Sequence, residues 1–344
     1  MKTMDHTLPP LCKLSHILWA VFVPLCMLGG LSACSLNKLA INKISDALTG
    51  GGSNATLLGD TDPQLVGDAL PFAVKMYEIL LEKNPGHPGL ILTTGSLLIM
   101  YANAFVQGPA EMLPVGEYTK KIRELDRAKK LYLRGAAILE RGINTTYPGL
   151  VGRVADWRDA DPARIREQLR GVKKEDVALL YWYAAGNLSA YALAPFDLDL
   201  GTKVPLITLL VERAYELDPD FNQGALDDFY ILFYASLPEG MGGDMERAKI
   251  HYGRALEKSK GLSAGPYVSY ARAVAIPAQD YPAFRSNLEA ALAIDIEVGA
   301  STALVNIINQ EKARYLLERA PELFADFDEE AWDENSYAED AGDE

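Results

Sequence analysis

From about residue 61 to residue 317, apolar residues recur at three- and four-residue spacing, the period of a helix that buries one face. The clearest case is Asp218 to Lys260, where Ala225, Phe229, Leu232 and Phe233 mark one helix and Ala248, Tyr252 and Ala255 mark the next, across a glycine-rich turn. A helical hairpin of this size cannot bury its apolar face alone, so copies of it are expected elsewhere in the chain. The set Ala248, Tyr252, Ala255 and Lys260 recurs with the same offsets as Ala73, Tyr77, Leu80 and Pro85, again as Ile207, Val211, Ala214 and Pro219, and again as Phe284, Leu288, Ala291 and Ile296. Ala128, Tyr132 and Gly135 keep the spacing too. Between these copies lie the partner helices, marked by Ile91, Gly95 and Leu98, by Trp182, Ala185, Gly186 and Ser189, and by the stretch from Pro266 to Ile276.

Small, aromatic, small, then a turn residue is the pattern of the second helix of a tetratricopeptide (TPR) unit. No convincing period-2 strand interrupts it. The expected fold is therefore all-α, a TPR-like helical-hairpin solenoid with irregular insertions and a terminal capping helix over residues 301–317. Asp62 followed by Pro63 predicts where the first helix of the body starts, by a side-chain cap and a proline in the first turn. Residues 144–171 break the period and form an insertion, with Asp161-Pro162 opening a short helix through Leu169.

The N-terminus divides the chain differently. Lys2 and Lys13 precede an apolar run from Leu14 to Gly30 that ends in Leu31-Ser32-Ala33-Cys34, similar to a bacterial lipoprotein signal with its lipidation site at Cys34. Cys12 and Cys26 leave with that signal, so a single mature cysteine remains and no disulfide within one chain can form. Acyl chains on Cys34, each buried methylene contributing about 0.8 kcal/mol, hold such a protein on a membrane. Ser35 after the cysteine points to the outer membrane by resemblance to sorted lipoproteins. The boundaries that follow are 1–33 for the signal peptide, 34–60 for a lipidated tether, 61–324 for the TPR-like helical domain and 325–344 for an acidic, disordered tail. The tether carries a short amphipathic pattern from Leu36 to Leu48, then Gly50-Gly51-Gly52.

Net charge is −14 and no basic stripe appears, which argues against nucleic acid as a partner. Only His87 and His251 remain after the signal, and with no recognisable carboxylate cluster they suggest neither a metal site nor a cofactor. Gly261-Leu262-Ser263-Ala264-Gly265 matches the nucleophile-elbow string. That motif requires a preceding strand, and a helix is expected there, so the chain is not read as an enzyme.

TPR groove positions, transferred to this chain, give an aromatic and apolar face. It comprises Tyr101, Asn103, Tyr183, Asn187, Tyr191, Tyr230, Phe233, Tyr234 and Tyr267, with none of the lysines and arginines that clamp a peptide carboxylate. Such a groove suits a hydrophobic small-molecule ligand with a few polar contacts. For each aromatic, core packing is the competing reading, whereas Asn103 and Asn187 need a partner for their amides wherever they are buried. Gly242 and Gly243 form a turn that either connects paired helices or offers backbone amides to a partner.

The joint order of Met100-Tyr101-Ala102-Asn103-Ala104-Phe105-Val106, Arg127-Ala128-Lys129-Lys130-Leu131-Tyr132, Leu217-Asp218-Pro219, Gly224-Ala225, Leu237-Pro238, Gly242-Gly243, Arg247-Ala248 and His251-Tyr252 resembles the TRAP transporter T-component (TatT) family, from about residue 35 to 325. That resemblance implies a lipid-anchored periplasmic accessory of a tripartite ATP-independent periplasmic transporter. It further implies work beside the periplasmic substrate-binding protein, a trimeric homo-oligomer and an apolar cleft or pore. The acidic tail has no counterpart in the resemblance. A TPR lipoprotein scaffold for outer-membrane or cell-wall assembly is the alternative function.

Overall fold

A computed structural model describes residues 41–50, 56–151, 162–298, 300–325 and 327. Cys34, the signal and nearly all of the acidic tail lie outside the described residues. The chain divides into two compact units at Thr49. In the first, residues 41–49 are helical, with Ile44 and Leu48 exposed.

The second unit is all-α among its described residues. Its main helices are α1 (Pro63–Lys83), α2 (Pro88–Tyr101), α3 (Tyr118–Thr146), α4 (Pro162–Leu169), α5 (Val177–Ala192), α6 (Val204–Leu217), α7 (Ala225–Ser236), α8 (Met245–Ser259), α9 (Ala264–Tyr270), α10 (Tyr281–Leu292) and α11 (Ala303–Glu318). Their ends follow the sequence locally. The Leu65 amide donates to Asp62 Oδ1 at 2.9 Å to open α1, and the Arg247 amide to Asp244 Oδ1 at 3.0 Å to open α8. The His87 ring is the cap of α2, with Nδ1 accepting from the Leu90 amide at 3.2 Å.

Neighbouring helices pack in pairs, α1 on α2, α2 on α3, α7 on α8 and α10 on α11. Alternate helices also touch: α2 meets α5, α7 meets α9 and α9 meets α11. The repeated aromatic and small residues become core. Tyr132, Ala128, Ala248, Ala255, Phe284 and Leu288 are fully buried, while Tyr77 and Tyr252 are partly buried. Close packing at α2 and α3 depends on facing glycines. A Cβ on Gly135 would stand 2.7 Å from the Gly95 carbonyl, and one on Gly95 would stand 2.5 Å from Leu139 Cγ.

Helix α2 does not stop at Tyr101. It continues through a π-helical turn, Ala102–Gln107, into Gly108–Glu111. The whole run from Pro88 to Glu111 is long and apolar enough to cross a membrane, but Leu90, Ile91, Leu98, Ile99, Ala102 and Val106 are buried within the protein. A second π-helical turn, Ala271–Ala275, follows α9.

The last helix does more than cap an end. Its Leu304 and Ile308 belong to the core cluster of the first helices, whereas Ala313 and Leu317 belong to the cluster of α9 and α10. Helix α11 also touches α1, and the Tyr315 hydroxyl donates to the Glu111 carbonyl at 3.2 Å. It thereby ties the C-terminal part of the unit to its beginning. Two residues of the expected tail join the body as well: the Ala325 amide donates to Gln279 Oε1 at 2.9 Å, and Phe327 packs edge-on to Tyr281 at 5.3 Å.

Candidate functional site

The residues expected on one groove separate into three environments. Tyr183, Asn187, Tyr230 and Phe233 are buried, at 1%, 2%, 4% and 7% exposure, so helix packing occupies their side chains. The Asn187 amide donates to the Tyr183 carbonyl one turn earlier at 2.9 Å, which satisfies it inside its own helix. Tyr191 and Tyr267 are half-buried, Tyr267 standing edge-on to Tyr252. Tyr101 stacks on Phe105 and accepts from Arg127 at 3.3 Å. Asn103 alone is exposed, on the first π turn.

Tyr230, Phe233 and Tyr234 form one aromatic cluster with Phe229, Tyr215 and His251, in which the Tyr230 ring lies 4.6 Å from the His251 ring. At its centre is Asp227, with no solvent exposure. Its carboxylate accepts from the Tyr215 hydroxyl at 3.0 Å, from Lys258 Nζ at 2.7 Å and from His251 Nδ1 at 2.6 Å. Burial opposes the charge on Asp227, but the bonds from His251 and Lys258 outweigh it and hold the carboxyl below the usual carboxylate range. The ionised carboxylate can only accept, so the His251 Nδ1 carries the proton. These bonds join α6, α7 and α8, so the group acts as a structural clasp.

The glycine turn is equally structural. Gly242 has φ of +99°, and a Cβ on Gly243 would stand 1.8 Å from the Leu237 carbonyl oxygen, closer than any side chain can be. The Asp244 amide donates to the Tyr234 carbonyl at 2.9 Å, which closes the α7–α8 hairpin. Ser263 occupies the N-cap of α9 directly after α8, and the described residues supply no strand before it for a nucleophile elbow.

A different set of polar residues gathers where the two π turns meet α11. Arg272, on the second turn, pairs with Glu111 at 3.0 Å, just beyond the first. Lys312, on α11, donates to Asn103 Oδ1 at 3.4 Å, and its Cε lies 3.4 Å from where a Cβ on Gly108 would be. Tyr132 donates to Gln107 at 2.6 Å from beneath the first turn. Interruptions of this kind in an α-helix frequently mark functional sites, because they redirect side chains that a regular helix would stagger. Lys312 and Asp228 are both half-buried.

Desolvation lowers the Lys312 ammonium below its ordinary value, with the Arg272 charge acting in the same direction and Glu111 and Asp228 opposing it. Burial pushes the Asp228 carboxyl up to about 6, against the effects of Ser269 and Lys312. Tyr181 joins this group, its phenol raised by burial and then by the Asp228 charge, and its ring packs against Phe221 at 5.3 Å and Phe229 at 6.3 Å. Aromatic rings therefore lie beside the Asp228 carboxyl. Sequence reasoning found Asn103 here but missed Lys312, Asp228, Tyr181, Arg272 and Glu111. Lys312 and Asp228 are 84 positions apart in sequence, and no local pattern pairs them.

Two other depressions lie elsewhere. One of about 720 Å³ runs between α1 and α3, lined by Glu78, Ile79, Arg134 and Ile138, beside an outward apolar stripe of Leu65, Phe72, Met76 and Ile79. Arg134 and Glu78 form an ion pair across it. The other, about 350 Å³, has Asn187, Asp197, Asp199 and Lys203 on its rim.

An all-α protein of paired helices is the class that the fold defines. Residues 59–324 match the TRAP transporter T-component family, and the chain belongs to that family. It is also 35% identical, over 86% of its own length and 94% of the relative's, to an uncharacterized protein of Treponema pallidum (strain Nichols).

Proposed function

We propose that this chain is the lipid-anchored periplasmic accessory component of a TRAP transporter. In this reading it docks the periplasmic substrate-binding protein and binds or relays an apolar or amphipathic organic ligand. Family membership across the whole helical unit carries the transport reading. The aromatic rings of Tyr181 and Phe229 support the ligand part, since small-molecule sites are mostly apolar with a few placed polar groups. The exposed stripe of Leu65, Phe72, Met76 and Ile79 supports a protein contact, because contiguous apolar surface marks interaction sites. Lipidation of Cys34, a TPR-like solenoid and a trimeric assembly complete the reading.

Crosslinking the full-length chain in cells and purifying it tests the reading. The expected catch is a TRAP substrate-binding protein. Recovery of envelope-assembly proteins in its place would overturn the transport role in favour of a scaffold. Replacing Cys34 by Ser moves the protein from the membrane to the soluble fraction if Cys34 is the anchor; unchanged membrane association would reject that role.

A further inference from the structure

The chain is acidic overall, at −14, but the turn before α3 and the first turns of that helix are locally basic. Between Val115 and Lys130 six lysines and arginines stand against three carboxylates. Each carboxylate is already engaged there: Glu117 with Lys120 at 2.7 Å, Glu124 with Arg123 at 3.2 Å and Arg127 at 3.4 Å, and Asp126 with Lys130 at 2.6 Å. Exposed pairs of this kind are weak and screened, so a net positive charge remains on the surface. Lys121 and Arg127 bond inward, to the Glu111 carbonyl at 3.0 Å and the Tyr101 hydroxyl at 3.3 Å, whereas Lys120, Arg123 and Lys130 are solvent-exposed. Among these cations stand three large apolar side chains that water reaches: Val115 at 80% exposure, Tyr118 at 66% and Ile122 at 47%. Tyr118 and Ile122 share one side of α3 as an i, i+4 pair, and Val115 lies in the short turn that leads into it.

Two contacts place this tip at the end of the body where the chain enters it. A Cβ on Gly67, near the start of α1, would stand 2.8 Å from Phe105 Cδ1, so the start of α1 lies against the run that continues α2. The Lys121 bond to Glu111 sets the start of α3 against the end of the same run. The chain that leads back to Cys34 therefore leaves the body at the end that carries Val115, Tyr118 and Ile122. At up to ~3.5 Å per residue, the tether between Cys34 and Pro63 lets a lipid anchor hold the body at a membrane without fixing which surface meets it.

We propose that Val115, Tyr118 and Ile122 enter the interface of a bilayer that contains anionic lipid, with Lys120, Arg123 and Lys130 on its headgroups, and so set the orientation of the anchored protein. This deepens the membrane-anchored reading above and rests on it. A lipid surface suits both components of the tip. Apolar side chains gain by leaving water for the acyl boundary, a tyrosine keeps its hydroxyl among the headgroups, and the cations are drawn to anionic lipid. The anchor supplies nearness to the membrane and the tip supplies direction.

The test uses the full lipidated chain in nanodiscs, with a nitrobenzoxadiazole label at Val115→Cys and, in a second preparation, at Val298→Cys. Val298 is also exposed, at 64%, but it precedes the start of α11, and the far end of that helix is the one where Tyr315 meets Glu111. A nitroxide on the lipid acyl chain should quench the label at 115 at least ~3-fold more than the label at 298 when the nanodisc contains phosphatidylglycerol, and by a smaller ratio in phosphatidylcholine alone. Lys120→Gln, Arg123→Gln and Lys130→Gln together should remove the dependence on phosphatidylglycerol. Tyr118→Ser with Ile122→Ser should remove the difference between the two labels. All these positions are exposed, so circular dichroism melts of the variants should match the parent. Equal quenching at 115 and 298 in protein retained on the nanodiscs would overturn this inference and leave the anchor. A chain that does not join the nanodiscs at all would overturn both. A label at 115 that the lipid nitroxide spares, and that only an added substrate-binding protein shields from aqueous iodide, would overturn the bilayer as partner in favour of a protein.

Discussion

Asp227 and Asp228 are neighbours on α7, and their carboxylates experience opposite chemistry. Asp227 faces α8, where three donors from three residues meet it and keep it ionised. Asp228 has one oxygen without a partner, and burial raises its carboxyl to about 6. Both are removed from bulk water, so burial alone does not distinguish a charge that stabilises the fold from one that does not. Satisfaction of the hydrogen-bonding capacity does. A buried carboxylate with every partner in place clamps helices together. One with an unpaired oxygen burdens the fold.

Breaking the clasp should give the largest effect. Asp227→Ala leaves Lys258 and His251 without their anion and should destabilise the protein by about 3–5 kcal/mol, read from urea unfolding. Lys258→Met removes one charge-assisted bond and should cost about 2 kcal/mol by the same measurement. Asp228 should respond in the opposite direction, with Asp228→Asn raising stability at pH 7.5 by about 1 kcal/mol because it relieves a desolvated charge. A loss as large as that of Asp227→Ala would mean that the two carboxylates are not different in kind. Smallest is Tyr215→Phe, expected to cost about 0.5–1 kcal/mol, since Asp227 keeps its bonds from Lys258 and His251.

Melting temperature against pH separates the pair further. Folded Asp228 holds its proton up to about pH 6, whereas an unfolded Asp releases it near ~4. Between those values the folded chain binds the extra proton, so the Asp228 contribution to stability declines as pH rises from about 4 to about 6. Asp227 has a lowered carboxyl, so its contribution is present above the unfolded value near ~4 and is lost as pH falls through the folded one. Asp228→Asn should abolish the decline between pH 4 and 6 and leave the acid-side loss. An unchanged profile in that variant would contradict the assignment.

Local sequence pattern was enough to read the paired helices, the cap at Asp62 and the core positions Tyr132, Ala248 and Phe284, because these depend on spacing within one or two turns. The expected groove was read less well. Tyr183, Asn187, Tyr230 and Phe233 are helical positions whose burial depends on which face the next helix covers, and periodicity marks a face without naming its neighbour. Asn187 illustrates this, since its own helix supplies the carbonyl that its amide needed.

By itself, then, the sequence determined an all-α chain of helical hairpins, the turn that only Gly242 and Gly243 permit and the family to which the chain belongs. Each of these is encoded in short-range spacing or in residues with singular backbone freedom. Tertiary structure alone decided that Asp227 would have every partner and one oxygen of Asp228 none, that Arg272 of the second π turn would meet Glu111 just beyond the first, and that α11 would return to the first helices and bring Lys312 to Asn103. These outcomes rest on contacts between residues far apart in sequence, and the energy of a charge depends on what surrounds it in space, not on its neighbours along the chain.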